Sequence, residues 1–184
     1  MKRTILTFGL ISGAVISVLM GLAMAFQNQI GFDRGYVVGY TSMVLSFLLV
    51  FFGIRAYRDN EGQGSITFGR AFSIGMGIML IACVCYVVTW EFIYYFFMPD
   101  FMDKYAAYVL EKARAAGASP AVLAEKAQKL QQAKAAYANP LVNVAMTFIE
   151  PFPVGLLITL ISAVALRKKA KGQGAETEAV AVSN

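Results

Sequence analysis

Two glutamates stand inside long apolar stretches of this chain, Glu91 and Glu150. An ionisable group within a membrane span is costly, and it marks a functional site by default. The chemistry open to such a carboxyl is proton or cation handling. Counted from the outer ends of their stretches, Glu91 lies seven residues in from Met98 and Glu150 nine in from Leu141. At the helical rise these depths are about 10 and about 14 Å, which would place both in one layer. Counted from the opposite ends, Glu91 is about 30 Å from Ala71 and Glu150 about 24 Å from Leu166, so Glu150 is the deeper group.

Glu150 opens the string Glu150-Pro151-Phe152-Pro153. Two prolines remove two backbone donors and free carbonyls one turn earlier, so a kink or break is expected here. A carboxylate beside freed carbonyls can line a proton or cation site. No lysine, arginine or histidine lies within any of the apolar stretches to neutralise it. A buried Glu150 is therefore protonated, holds a cation, or reaches water. The plainer alternative is a neutral acid hydrogen-bonded within a packed kink. Glu91 sits in Trp90-Glu91-Phe92-Ile93-Tyr94-Tyr95-Phe96-Phe97, the composition of an interfacial aromatic belt. Tyr94 and Tyr95, three and four positions on, are placed to hydrogen-bond it.

The elements that must position these groups are four apolar stretches, about residues 5–26, 35–54, 71–98 and 141–166. A run of about 20 apolar residues spans the hydrocarbon core of a bilayer. The fold class expected is an all-α membrane protein with four transmembrane helices and an extracytoplasmic helical hairpin between the third and fourth. One membrane domain would cover residues 1–171, and the small, polar, acidic residues 172–184 would form a disordered cytoplasmic tail. Lys2, Arg3 and Ala23-Met24-Ala25 resemble signal-peptide grammar, but the apolar run is longer than the usual h-region. The first span is expected to be retained. With both termini in the cytoplasm, nine lysines and arginines lie inside and seven outside, most of the latter in the long segment between spans three and four. Gln27–Arg34 reads as a short polar loop.

Within that long segment, Phe101, Tyr105, Tyr108 and Lys112 share one helix face, and Gly117 supplies a stop. Ser119-Pro120 supplies a cap and a first helical position. Leu123, Ala127, Leu130 and Tyr137 then mark a second stripe, which Asn139-Pro140 ends.

Gly9, Gly13, Ser17 and Gly21 recur every fourth residue along span one, the small-residue pattern of close helix packing. It serves packing within the chain or, on the sharper reading, a homo-oligomer interface. Cys83 and Cys85 point to nearly opposite faces of span three and read as packing residues.

No metal site, cofactor site or catalytic residue is expected. The chain lacks histidine, the commonest metal ligand and general base. Gly62-Gln63-Gly64 has the wrong spacing to Gly69, and no preceding strand, for a dinucleotide fingerprint. Neither the P-loop nor any hydrolase or metalloprotease motif occurs. The net charge of +5 comes from residues at span ends, as topology requires, and does not suggest nucleic acid.

The loop after span two carries Phe52-Gly53-Ile54-Arg55, Tyr57-Arg58-Asp59 and Ile66-Thr67-Phe68-Gly69-Arg70-Ala71-Phe72. With four spans and Pro99-Asp100-Phe101 after the third, the chain resembles the bacterial membrane family catalogued as domain of unknown function 4199. The resemblance implies a bacterial inner membrane and no assigned activity. The leading expectation is a non-enzymatic membrane protein that binds partners through Arg55, Arg58 and Arg70 or through the external hairpin. The alternative is a small carboxylate-dependent transporter or proton-linked channel using Glu150, with Glu91 as a second group.

Overall fold

The computed structural model describes residues 1–168; the expected tail at 172–184 lies outside the described residues. Seven helices follow one another: α1 (Lys2–Ala25), α2 (Gln27–Asn60), α3 (Phe68–Phe96), α4 (Phe101–Ala115), α5 (Pro120–Tyr137), α6 (Pro140–Ile149) and α7 (Pro151–Leu166). No strand occurs among the described residues, and the one β-bridge pairs Ile66 with Lys168. Four segments are long and apolar enough to cross a membrane: α1, α2, α3 and the α6–α7 pair.

The small-residue stripe sets the register of α1 on α3. Ile5 meets Gly77, Gly9 meets Ile81, Gly13 meets Cys85, and Thr89 donates to Ser17 at 2.7 Å. Both partners advance by four residues at each step, so the two helices run parallel. A Cβ at Gly9 would stand 2.8 Å from Ile81 Cδ1, and one at Gly13 2.5 Å from Cys85 Sγ. The backbones are closer there than any side chain permits, which is what small residues make possible. The stripe is thus used for packing within the chain. Gly9, Gly13 and Ser17 are consumed inside the chain, and only Gly21, with nothing within 4 Å of its Cβ position, is left over from the stripe. Cys83 is buried and Cys85 packs on Gly13, both as free thiols.

Residues 27–34 are not a loop. Helix α2 begins at Gln27, directly after Phe26, and breaks at Gly31 (φ 70°, ψ 165°). That positive φ is open to glycine at little cost. The chain reverses over Phe26 and Gly31, and Gln27–Ile30 keep helical form between the two bends.

One end of the bundle gathers distant parts of the chain. The Met1 amino group and Thr4 Oγ1 both donate to Glu61. Ile66 exchanges backbone hydrogen bonds with Lys168 at 3.0 and 2.9 Å. The start of α1, the α2–α3 loop and residue 168 therefore share this end. Thr67 caps α3 by accepting from the Arg70 amide.

At the opposite end, both expected stripes are used. Phe101, Tyr105 and Tyr108 surround Phe32, Tyr36 donates to Tyr105 at 3.1 Å, and Tyr108 and Lys112 both donate to Asp33. On α5, Leu123, Ala127, Leu130 and Tyr137 are half-buried among exposed neighbours. Gly117 (φ 79°) closes α4, Ser119 and Asn139 cap α5 and α6, and a Lys134–Asp103 ion pair ties α5 to α4.

Candidate functional site

Glu150 sits at the joint between α6 and α7. Its backbone keeps near-helical angles (φ −65°, ψ −56°). The helix is interrupted by missing donors, since Pro151 and Pro153 offer no N–H to the carbonyls of Thr147 and Ile149. The joint has a packing consequence. Helix α7 lies against α2 and α3, whereas α6 lies against α3 and α5. The fourth span thus leans away from α2 beyond Glu150, and a cavity of about 380 Å³ opens between them.

The cavity is walled by Ile16, Met20 and Met24 of α1, by the first half of α2, by Tyr86 and Trp90 of α3, and by α6, with residues of α4 and α5 at its outer side. Its lining is apolar except at a few points. Tyr86 donates to Glu150 Oε2 at 2.9 Å. The other carboxylate oxygen accepts no hydrogen bond among the described residues. Glu150 is exposed, not sealed in packing. No lysine, arginine or histidine lines the cavity, so Glu150 is its sole ionisable group of carboxylate or basic type.

A polar chain runs beside it. Trp90 Nε1 donates to the Tyr137 hydroxyl at 2.7 Å, Tyr137 lies 3.5 Å from Thr147 Oγ1, and Thr147 donates to Asn143 Oδ1 at 3.2 Å. Burial raises the Tyr137 phenol above its ordinary range, against the opposing effect of its hydrogen bonds with Thr147 and Trp90.

The two glutamates are unequal. Glu91 does not line the cavity. Neither Tyr94 nor Tyr95 hydrogen-bonds it, and its Oε1 is buried with no partner. The reason is competition: the Tyr94 ring is turned onto Trp90, Tyr95 and Tyr137. The aromatic belt took the group that sequence spacing offered to Glu91.

A family model described as "Protein of unknown function (DUF4199)" matches residues 7–168. The chain belongs to this family. The match takes in every helix that builds the cavity, including Glu150 and the loop string with Arg55, Arg58 and Arg70. No curated protein and no solved structure matches the chain.

The three arginines flank the α2–α3 loop, Arg55 and Arg58 in the last turns of α2 and Arg70 in the first turn of α3. Arg58 pairs with Asp59 at 2.7 Å and Arg55 with the same carboxylate at 3.6 Å, while Arg70 is exposed in the first turn of α3. Sequence reading missed Tyr86, the partner of Glu150. Its signal was present: a phenol well inside an apolar span, ahead of the aromatic belt, needs a hydrogen-bond partner.

Proposed function

We propose that this chain is a non-enzymatic, multi-pass protein of a bacterial inner membrane, and that it works as a small proton-linked carrier through Glu150. In this reading both termini are cytoplasmic, and α4 and α5 form an extracytoplasmic hairpin over the cavity mouth. One observation carries the proposal: the carboxylate at the break in the fourth span opens onto a cavity instead of being sealed. Its charge has no basic partner in the lining, so a proton, an entering cation or water is what can balance it. The break supplies the hinge at which the balance can change.

The alternative, docking of a partner protein on Arg55, Arg58 and Arg70, draws less support. Two of those arginines are already paired with Asp59 at the end of their own helix. No role for Glu91 beyond the aromatic boundary is proposed.

Liposomes containing the purified protein and a trapped pH dye test the carrier reading. After an external acid jump, wild type should admit protons faster than empty liposomes, and Glu150→Gln should fall to the empty rate. Equal rates for wild type and Glu150→Gln would sink the role of Glu150.

A further inference from the structure

The make-up of the cavity narrows what it can take. We infer that its ligand is a lipophilic monocation: one ammonium centre on an apolar body, with the charge held by Glu150 and the aromatic walls. This rests on the reading of the Glu150 cavity as a binding site.

Charge is the first argument. Glu150 is the single carboxylate in the lining and no basic side chain accompanies it, so an anion meets repulsion without compensation. Glu150 Oε2 is engaged by Tyr86, which fixes the carboxylate and leaves Oε1 for a ligand.

The walls are the second argument. Tyr36, Tyr86, Trp90 and Tyr105 all line the cavity. Electron-rich ring faces beside a carboxylate form the setting that holds ammonium groups. Two of the rings are held in place by hydrogen bonds at their polar atoms: Tyr36 to Tyr105 at 3.1 Å, and Trp90 to Tyr137 at 2.7 Å.

Size and polarity are the third argument. A volume of about 380 Å³ falls in the range of sites for small organic molecules, and the remaining lining from α1 is isoleucine, methionine and alanine. A bare metal ion would find one carboxylate in a greasy chamber. An organic cation finds a partner for each of its halves.

A phosphodiester beside the ammonium would lack a basic partner in this lining, which disfavours a zwitterionic lipid headgroup relative to a free amine. The chemistry at Glu150 is the same for both sources.

The chain contains a built-in reporter, because Trp90 is its single tryptophan and lines the cavity. Full-length protein in phosphatidylglycerol nanodiscs is titrated with three compounds of matched shape. These are phenethyltrimethylammonium, its neutral carbon isostere 3,3-dimethylbutylbenzene, and anionic 4-phenylbutyrate. The expected result is saturable change of Trp90 emission by the cation, at least about tenfold tighter than by the other two. Glu150→Gln should erase that preference, and Glu150→Asp should retain most of it. Tyr105→Leu should weaken cation binding about threefold to tenfold. Equal affinity for cation and neutral isostere in wild type overturns the assignment, as does an unchanged preference in Glu150→Gln.

Nanodiscs containing phosphatidylethanolamine separate the two sources. Undiminished binding there supports a free amine, and competitive loss of binding shows that the ammonium comes from the lipid. Cation selectivity without Glu150-dependent proton flux would keep this ligand class and sink the carrier reading. Flux without selectivity would do the reverse.

Discussion

The two ends of the bundle are built on opposite rules. Toward the end holding Met1, Glu61 and Lys168, the interior is solid. Ile54, Ile74, Ile78 and Ala71 are fully buried, and Gly75 brings α3 against Thr159, Ile54 and Val50. Toward the end covered by α4 and α5, the same helices enclose a chamber rimmed by hydroxyl-bearing rings. The sealed half is made by small residues that let backbones approach. The hollow half is made by the proline break, which parts α6 from α2, and by large rings that span the remaining gap. Packing strength and chemistry are thus divided along the bundle axis, with Glu150 at the boundary.

Substitution of glycine offers the sharpest way to break this comparison. Gly75→Leu should be the most damaging change. A Cβ there already stands 2.7 Å from Thr159 Cγ2 and 3.0 Å from Ile54 Cδ1. Overpacking of this kind costs about 1–3 kcal/mol, occasionally more. Gly39→Leu, on the cavity wall with nothing within 4 Å of its Cβ position, should leave stability nearly unchanged. Thermal unfolding in detergent, followed by a thiol-reactive dye that meets buried Cys83 only on unfolding, measures both. Equal destabilisation by the two leucines would mean that the halves do not differ.

Much of this division was open to sequence reading because a bilayer forces long apolar runs. Four helices long and apolar enough to cross a membrane lie over the expected stretches, and the break at Glu150 follows from Pro151 and Pro153. The stripes on α4 and α5 were visible because each follows helical spacing. What stayed hidden depends on which helix faces which. Tyr86 and Glu150 are 64 residues apart, and no local rule pairs them. The glycine stripe announced close packing but not its partner, since α3 meets it with Ile81 and Cys85 as well as with small residues. Gln27–Arg34 looked like a loop because it is polar, yet backbone hydrogen bonding carried helix through it up to Gly31.

If the prolines open the hollow half, restoring their donors should close it. Pro151→Ala with Pro153→Ala gives the carbonyls of Thr147 and Ile149 their amide partners, each bond worth about 0.5–1.5 kcal/mol. The fourth span should straighten toward α2. Cysteines placed at Gly39 and Met146, both on the cavity wall, should then form a disulfide faster than in the background with both prolines. An unchanged rate would show that something other than the break holds α6 away.

A smaller change probes the rim. Tyr137→Phe removes the acceptor for Trp90 Nε1 and leaves a buried donor unpaired, a loss of about 1–3 kcal/mol. Trp90 emission should shift as its hydrogen bond disappears. A variant with wild-type emission and melting temperature would mean that Tyr137 does not hold the rim.

The smallest effect belongs to the far side of the sealed half, where Glu61 accepts from the Met1 amino group and Thr4. The amino group first, and the Thr4 hydroxyl second, hold the Glu61 carboxyl below its ordinary value. A depressed carboxyl contributes stability that is fully present above its unfolded value and is lost as pH falls through the folded one. The contribution should therefore be constant at neutral pH and fade only in acid, below the ordinary glutamate range. Both partners are exposed, so solvent screens the pair and the effect on melting is small. Glu61→Gln should lower the melting temperature slightly at pH 7 and by progressively less as pH falls below the ordinary glutamate range. A difference that persists undiminished at pH 3 would show that Glu61 acts through packing, making the solid end depend on shape alone.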